Sequence, residues 1–237
     1  MPLVPAIGLG AAALGTLACG AWGVYEPNAP LFGPVIGAGP PDGGAVYLTF
    51  DDGPNPGVTD RILETLARHG VPAAFFMVGR YAERHAALVR AVSGAGHVVG
   101  NHTWAHVKLH RRGPARIRCE LERTHRALAD LTGAAPRAFR APHGYRNPFV
   151  ARTARRLGYA TFGWSYGVWD TARPGAEVIR ARMRRKLRPG AILLLHDGDG
   201  YDPAGDRTQT ADALPGIIAD VRAAGLEFRP LTDLLPA

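Results

Sequence analysis

Two acids stand side by side in YLTFDDGPNP (residues 47–56): Asp51 and Asp52, placed where an apolar run gives way to Gly-Pro. Two imidazoles, His102 and His106, follow in NHTWAH. Arg140 closes RAFR, Asp170 comes shortly after TFGW, and His196 with Asp197 ends the run AILLL. Two histidines and one carboxylate, with a position left open for water, suit a catalytic divalent cation, zinc foremost. One of the paired aspartates can be the third ligand and the other can stay free as a base. Zinc lowers the pKa of a bound water to about 7, and a positioned base adds roughly 10²–10⁴ in rate. The i, i+4 spacing of His102 and His106 would set both rings on one side of a helical turn. Singly, each cluster has a quieter explanation: a chance HxxxH, a capping pair of acids, a core histidine. Together they share one property, since each follows an apolar strand.

The elements that must position these groups alternate along the chain. AVYLTF (45–50), PAAFFMV (72–78), HVVG, RAFR (137–140), YATFGW (159–164), AILLL (191–195) and LEFRPL read as strands. On this reading the first strand stops at Phe50, so the two acids sit on a turn and need not point to opposite faces. Between the strands lie helical patterns that stop at glycine, such as VTDRILETLARHG and ARIRCELERTHRALADLTG. The helix TADALPGIIADVRAAG carries Pro215 as a start or a kink. Strand–helix alternation predicts a parallel sheet covered by helices, open or closed into a barrel, whose strand C-termini converge on one face.

The 237 residues carry 28 Lys and Arg against 20 Asp and Glu, a net charge of +8. No zinc finger, recognition helix or basic-aromatic strand accompanies that charge, so nucleic acid is not the expected partner and an anionic envelope surface is the better match. The two cysteines form no disulfide framework. Cys119, within a helical pattern, is expected to be a buried or half-buried thiol. Residues 1–25 carry no charge and are mostly apolar or glycine, which predicts a membrane anchor or signal segment. Residues 26–44 are rich in Pro and Gly and read as a linker to a catalytic domain over 45–237. The domain is therefore expected in the cell envelope, periplasm or outside the cell.

TFDDGP (49–54), NHTWAH (101–106), RAPHG (140–144), the Trp164–Asp170 region and LLLHDG (193–198), in that order, resemble the polysaccharide deacetylases of carbohydrate esterase family 4, the NodB homology domain. The resemblance implies a distorted (β/α)7 barrel. It implies Asp51 as general base, and Asp52, His102 and His106 as ligands of Zn²⁺, with Co²⁺ or another divalent ion as substitutes. It implies Arg140 as orienter of Asp51, His196 as the acid that protonates the leaving amine, and Asp170 as the carboxylate that keeps His196 charged. Pro142, His143, Gly144, Tyr145 and Trp169 become candidates for contact with a glycan, and a backbone N–H of the PHG turn for contact with an oxyanion. Trp104, Trp164 and Tyr166 neighbour the motifs and could stack on sugar rings. His143 departs from the Tyr or Phe that the family commonly has there, and WSYGVWDT is looser than the family's usual motif. DGDGYD (197–202) faintly resembles a calcium loop, but Thr208 stands where Glu is needed. The implied activity is removal of N-acetyl groups from an N-acetylglucosamine-containing glycan, such as peptidoglycan or a chitin-like chain. O-deacetylation of an acetylated xylan-type chain and glycan binding without turnover are the alternatives.

Overall fold

The computed structural model describes residues 18–236. All paired strands run parallel. They are β1 (Ala45–Asp51), β2 (Ala73–Met77), β3 (Val98–Asn101), β4 (Ala138–Phe139), β5 (Ala160–Thr161), β6 (Tyr166–Gly167), β7 (Ile192–His196) and β8 (Glu227–Phe228). Their order is β5-β4-β3-β2-β1-β7-β6, and β8 adds to the start of β1 through Ala45 and Val46. The helices are α1 (Thr59–His69), α2 (Gly79–Arg84), α3 (Ala86–Gly94), α4 (Pro114–Thr132), α5 (Pro148–Arg156), α6 (Ala176–Arg184) and α7 (Thr208–Ala223). This curled sheet with its helices is the expected distorted (β/α)7 barrel. β6, inside the Trp164–Asp170 region, was not expected as a strand: only two of its residues pair, with Leu193 and Leu194 of β7.

Alternation along β1 decides what reaches each face. Val46, Leu48 and Phe50 pack in one buried cluster with Ile62 and Leu66 of α1, Phe75 of β2, Leu193 and Leu195 of β7, and Leu214 and Ile217 of α7. A fully buried side chain of this kind contributes about 1.5–3 kcal/mol. Ala45 and Tyr47 join a second cluster on the other face, with Phe76, Phe162 and Ile192. Thr49 and Asp51 continue that second row and so point into the barrel interior. Pro215 neither starts nor ends α7 but lies inside it.

Two expectations are corrected here. Cys119 is exposed, because the buried stripe of α4 runs through Ile117, Glu120, Leu121, Thr124 and Leu128 and leaves it outside. Residues 26–44 are not a free tether. Ile36 N donates to Thr161 O (2.9 Å), Gly163 N to Ile36 O (2.9 Å) and Gly39 N to Gly190 O (2.7 Å), lacing the β5 edge to the turn ahead of β7. Pro and Gly leave few backbone N–H groups and much freedom of φ, and this segment uses both to follow the sheet rather than to hang loose. Of the stretch read as an anchor, residues 1–17 lie outside the described residues, and residues 18–25 are helical. No described helix is long and apolar enough to cross a membrane.

Candidate active site

Asp51 is the last residue of β1, one later than the sequence suggests, and Asp52 follows it at φ 74°. That left-handed turn cancels the strand's alternation and brings the second carboxylate to the same mouth as the first. His102 and His106 are not on a helical turn. Asn101 Oδ1 accepts from Thr103 N (2.8 Å), Thr103 Oγ1 accepts from His106 N (3.1 Å), and Thr103 and His106 both have positive φ. These short side-chain-to-backbone bonds compete with helix formation, and the loop they build sets the two rings 5.2 Å apart.

Asp52, His102 and His106 meet in the barrel mouth, all buried, with one donor atom from each within 4.8 Å of the others. His102 Nδ1 lies 2.8 Å from Arg140 O. A carbonyl can only accept, so Nδ1 carries the proton and Nε2 presents a lone pair. That lone pair faces Asp52 Oδ1 at 3.3 Å, and His106 Nε2 faces the same oxygen at 3.0 Å. Asp52 Oδ1 is buried and has no hydrogen-bond donor among the described residues. Acceptors converging on one point, without a proton between them, fit a divalent cation.

Asp51 stands beside this cluster, its Oδ2 3.8 Å from His102 Nε2. Its Oδ1 takes a 2.7 Å hydrogen bond from Arg140 Nη1, which also donates to Thr49 Oγ1 (2.8 Å). Arg140 is fully buried, with Nη2 on Gly163 O (2.8 Å) and its guanidinium 4.2 Å above the Phe76 ring. Across the mouth, His196 Nδ1 meets Asp170 Oδ1 (2.9 Å). Asp170 Oδ2 accepts from His196 N (2.7 Å) and Thr210 Oγ1 (3.1 Å). Burial works against a charged His196, yet Asp170, aided by Asp52 and Asp51, lifts its pKa to about 9. Burial also works against the Asp170 charge, and His196 holds that carboxyl below its ordinary value.

Asp51, Asp52, His102, His106 and His196 line a cavity of about 610 Å³, joined by His143, Tyr145, Trp164 and Trp169, with Arg140 and Asp170 buried behind them. Trp169 is 75% exposed at the rim. Pro142 and Gly144 are buried in the turn that presents His143 and do not line the cavity. Trp104 is not at the cavity either: it packs under the Arg123 guanidinium, 3.5 Å from its ring. The sequence reading missed one wall. Asp199, Gly200, Tyr201 and Arg207 line the cavity, so the DGDGYD stretch closes it rather than holding calcium. Arg207 fixes this loop through Gly198 O (3.0 Å) and Asp199 Oδ2 (2.7 Å), and Arg80 through Gly200 O (2.8 Å). Tyr201 Oη reaches His143 Nε2 at 2.7 Å. Adjacency to His196 was the signal that could have found it.

A family model described as polysaccharide deacetylase matches residues 38–162. A chitooligosaccharide deacetylase of Bradyrhizobium sp. (strain ANU 289) is 40% identical over 199 residues, covering 80% of this chain and 90% of that one. A solved peptidoglycan N-acetylglucosamine deacetylase superposes with TM-score 0.78 at 31% identity, over 84% of this chain and 91% of that one. A family 4 pseudoenzyme from Bacillus anthracis superposes with TM-score 0.77 at 29% identity, over 84% of this chain and 68% of that one.

Proposed function

Since the chain belongs to the polysaccharide deacetylase family, carbohydrate esterase family 4, we propose that it hydrolyses the N-acetyl amide of N-acetylglucosamine residues in an oligosaccharide or peptidoglycan-type glycan, with a divalent cation, zinc foremost. The observation that carries this reading is the pair of carboxylates with divided duties. Asp52 converges with His102 and His106, while Asp51 stays apart on Arg140.

A cation held by Asp52, His102 and His106 would supply Lewis-acid polarisation of the acetyl carbonyl and a more acidic water. Asp51 takes the proton of the attacking water, and Arg140 with Thr49 keeps its carboxylate aimed. The Gly144 and Tyr145 amides are spent inside the turn, on Ala141 O (2.8 Å) and Pro142 O (3.1 Å). The His143 amide is thus the donor we assign to the developing oxyanion. His196, charged through Asp170, gives its proton to the leaving nitrogen. Trp169 and Tyr145 offer faces on which a sugar ring can stack.

An acetate-release assay on acetylated chitooligosaccharides, peptidoglycan and acetylated xylan, with chelator and with zinc or cobalt, tests the reading. Metal-dependent acetate from the N-acetylated glycans is the expected result. Acetate from xylan alone would make it an O-acetyl esterase. Glycan binding that ignores chelator, with no acetate from any substrate, would make it a binding protein.

A further inference from the structure

Exposed apolar side chains gather on one face beside the cavity mouth. Trp22, Tyr25, Leu31 and Phe149 are each 45–51% exposed. Trp22 and Tyr25 share a side of the helical stretch 18–25. Leu31 packs against Gly23 of that stretch. Val24 O accepts from Arg146 N (3.2 Å), just ahead of the α5 turn that carries Phe149. Asn147 Nδ2 ties this turn to the neighbouring loop through Arg112 O (3.2 Å), and the His110 ring of that loop meets Tyr25 edge-on at 5.3 Å. Helical stretch, α5 turn and loop therefore form one continuous surface.

Charge on this surface has one sign. Lys108, Arg111, Arg112 and Arg152 are exposed. None has an acidic partner within 4.0 Å among the described residues, and the acid beside α5, Glu122, is taken up by Arg156 (2.6 Å). The sequence has no Asp or Glu between Glu83 and Glu120, nor between Asp130 and Asp170. Glu26, next to Tyr25 in the chain, accepts from Asn28 N (3.3 Å).

We propose that this face seats on an anionic phospholipid surface, the four apolar side chains entering the headgroup layer and the four cations meeting the lipid phosphates. In sequence the uncharged stretch 1–17 leads directly into the helical stretch 18–25 that carries Trp22 and Tyr25. Apolar insertion and a basic patch together give the two signals that stable membrane attachment takes. The Tyr25 ring lies edge-on to Tyr145 of the cavity at 5.2 Å. Seated this way, the catalytic mouth opens beside the bilayer, and its substrates are glycans carried close to lipid.

Sedimentation of the full chain with vesicles tests this, using phosphatidylcholine alone or with added phosphatidylglycerol. Each basic residue near an anionic surface strengthens binding on the order of five-fold, so the anionic vesicles should bind tighter by about a hundred-fold or more. Replacing Lys108, Arg111, Arg112 and Arg152 together by Gln should return binding to the phosphatidylcholine level, with circular dichroism unchanged. Trp22→Ser with Phe149→Ser should weaken binding to both vesicle types. Equal binding to both vesicle types would overturn the proposal. So would an anionic preference that survives the fourfold Gln variant, binding to neither vesicle, or self-association through this face in place of vesicle binding. No glycan or metal enters the assay, so its failure leaves the deacetylase reading intact.

Discussion

His102 and His196 face each other across one cavity and differ in what Nδ1 meets. For His102 it is a carbonyl, Arg140 O at 2.8 Å. For His196 it is a carboxylate, Asp170 Oδ1 at 2.9 Å. The carbonyl accepts a hydrogen bond from Nδ1–H of a neutral ring, and leaves Nε2 as a lone pair suited to a cation. The carboxylate stabilises imidazolium and lifts His196 to about 9. On the proposed function, one residue type would serve as a ligand on the β3 side and as an acid on the β7 side, and the acceptor behind each ring decides which.

The comparison breaks first on the ligand side. His106→Ala should abolish cation binding and turnover together, measured by metal content and acetate release. Asp51→Asn should keep the cation and lower turnover by roughly 10²–10⁴. Retained activity in Asp51→Asn would remove the general base. Arg140→Met strands the buried Asp51 charge and should cost about 3–5 kcal/mol in urea unfolding. Adding Asp51→Asn to that variant should recover part of the loss. A stability unchanged by Arg140→Met would show that the pair holds nothing.

How much of this contrast the sequence shows follows from the same physics. Strand ends and residue types are local, so Asp51, Asp52, His102, His106, Arg140, Asp170 and His196 could all be placed on one face. The HxxxH spacing misled because it reports distance along the chain and not backbone. Thr103 and Asn101 build a loop there, with side-chain bonds no periodicity records. Tyr201 was invisible for a different reason: its role exists only because Arg80, distant in sequence, and Arg207, just beyond the loop, pin it over His106 and His143. The 26–44 segment misled through composition, since Pro and Gly mark a chain that can bend and do not say what it lies against.

On the acid side, Asp170→Asn sharpens the contrast by giving His196 a neutral partner. The folded pKa of His196, about 9, stands above its ordinary 6.5. The pairing therefore stabilises the fold fully below pH 6.5 and ceases to do so as pH rises through 9. A cation at the ligand site pulls His196 down from that value, and removing Asp170 pulls it further. The alkaline limb of the kcat profile should move to lower pH by more than about one unit. A limb that stays in place would assign the alkaline loss to another group.

The smallest effect belongs to the wall shared by both halves. Burial pushes His143 down to about 4, so it is neutral near pH 7 and bonds Tyr201 Oη across the cavity mouth. His143→Phe keeps the ring and the backbone amide but deletes that bond, worth about 0.5–1.5 kcal/mol. The amide assigned to the oxyanion is untouched, so kcat should hold, while KM for a glycan shifts by about three- to ten-fold as Tyr201 is released. A fall in kcat with KM unchanged would instead place the His143 side chain in the chemistry, and the division of labour between the two halves of the cavity would need a third member.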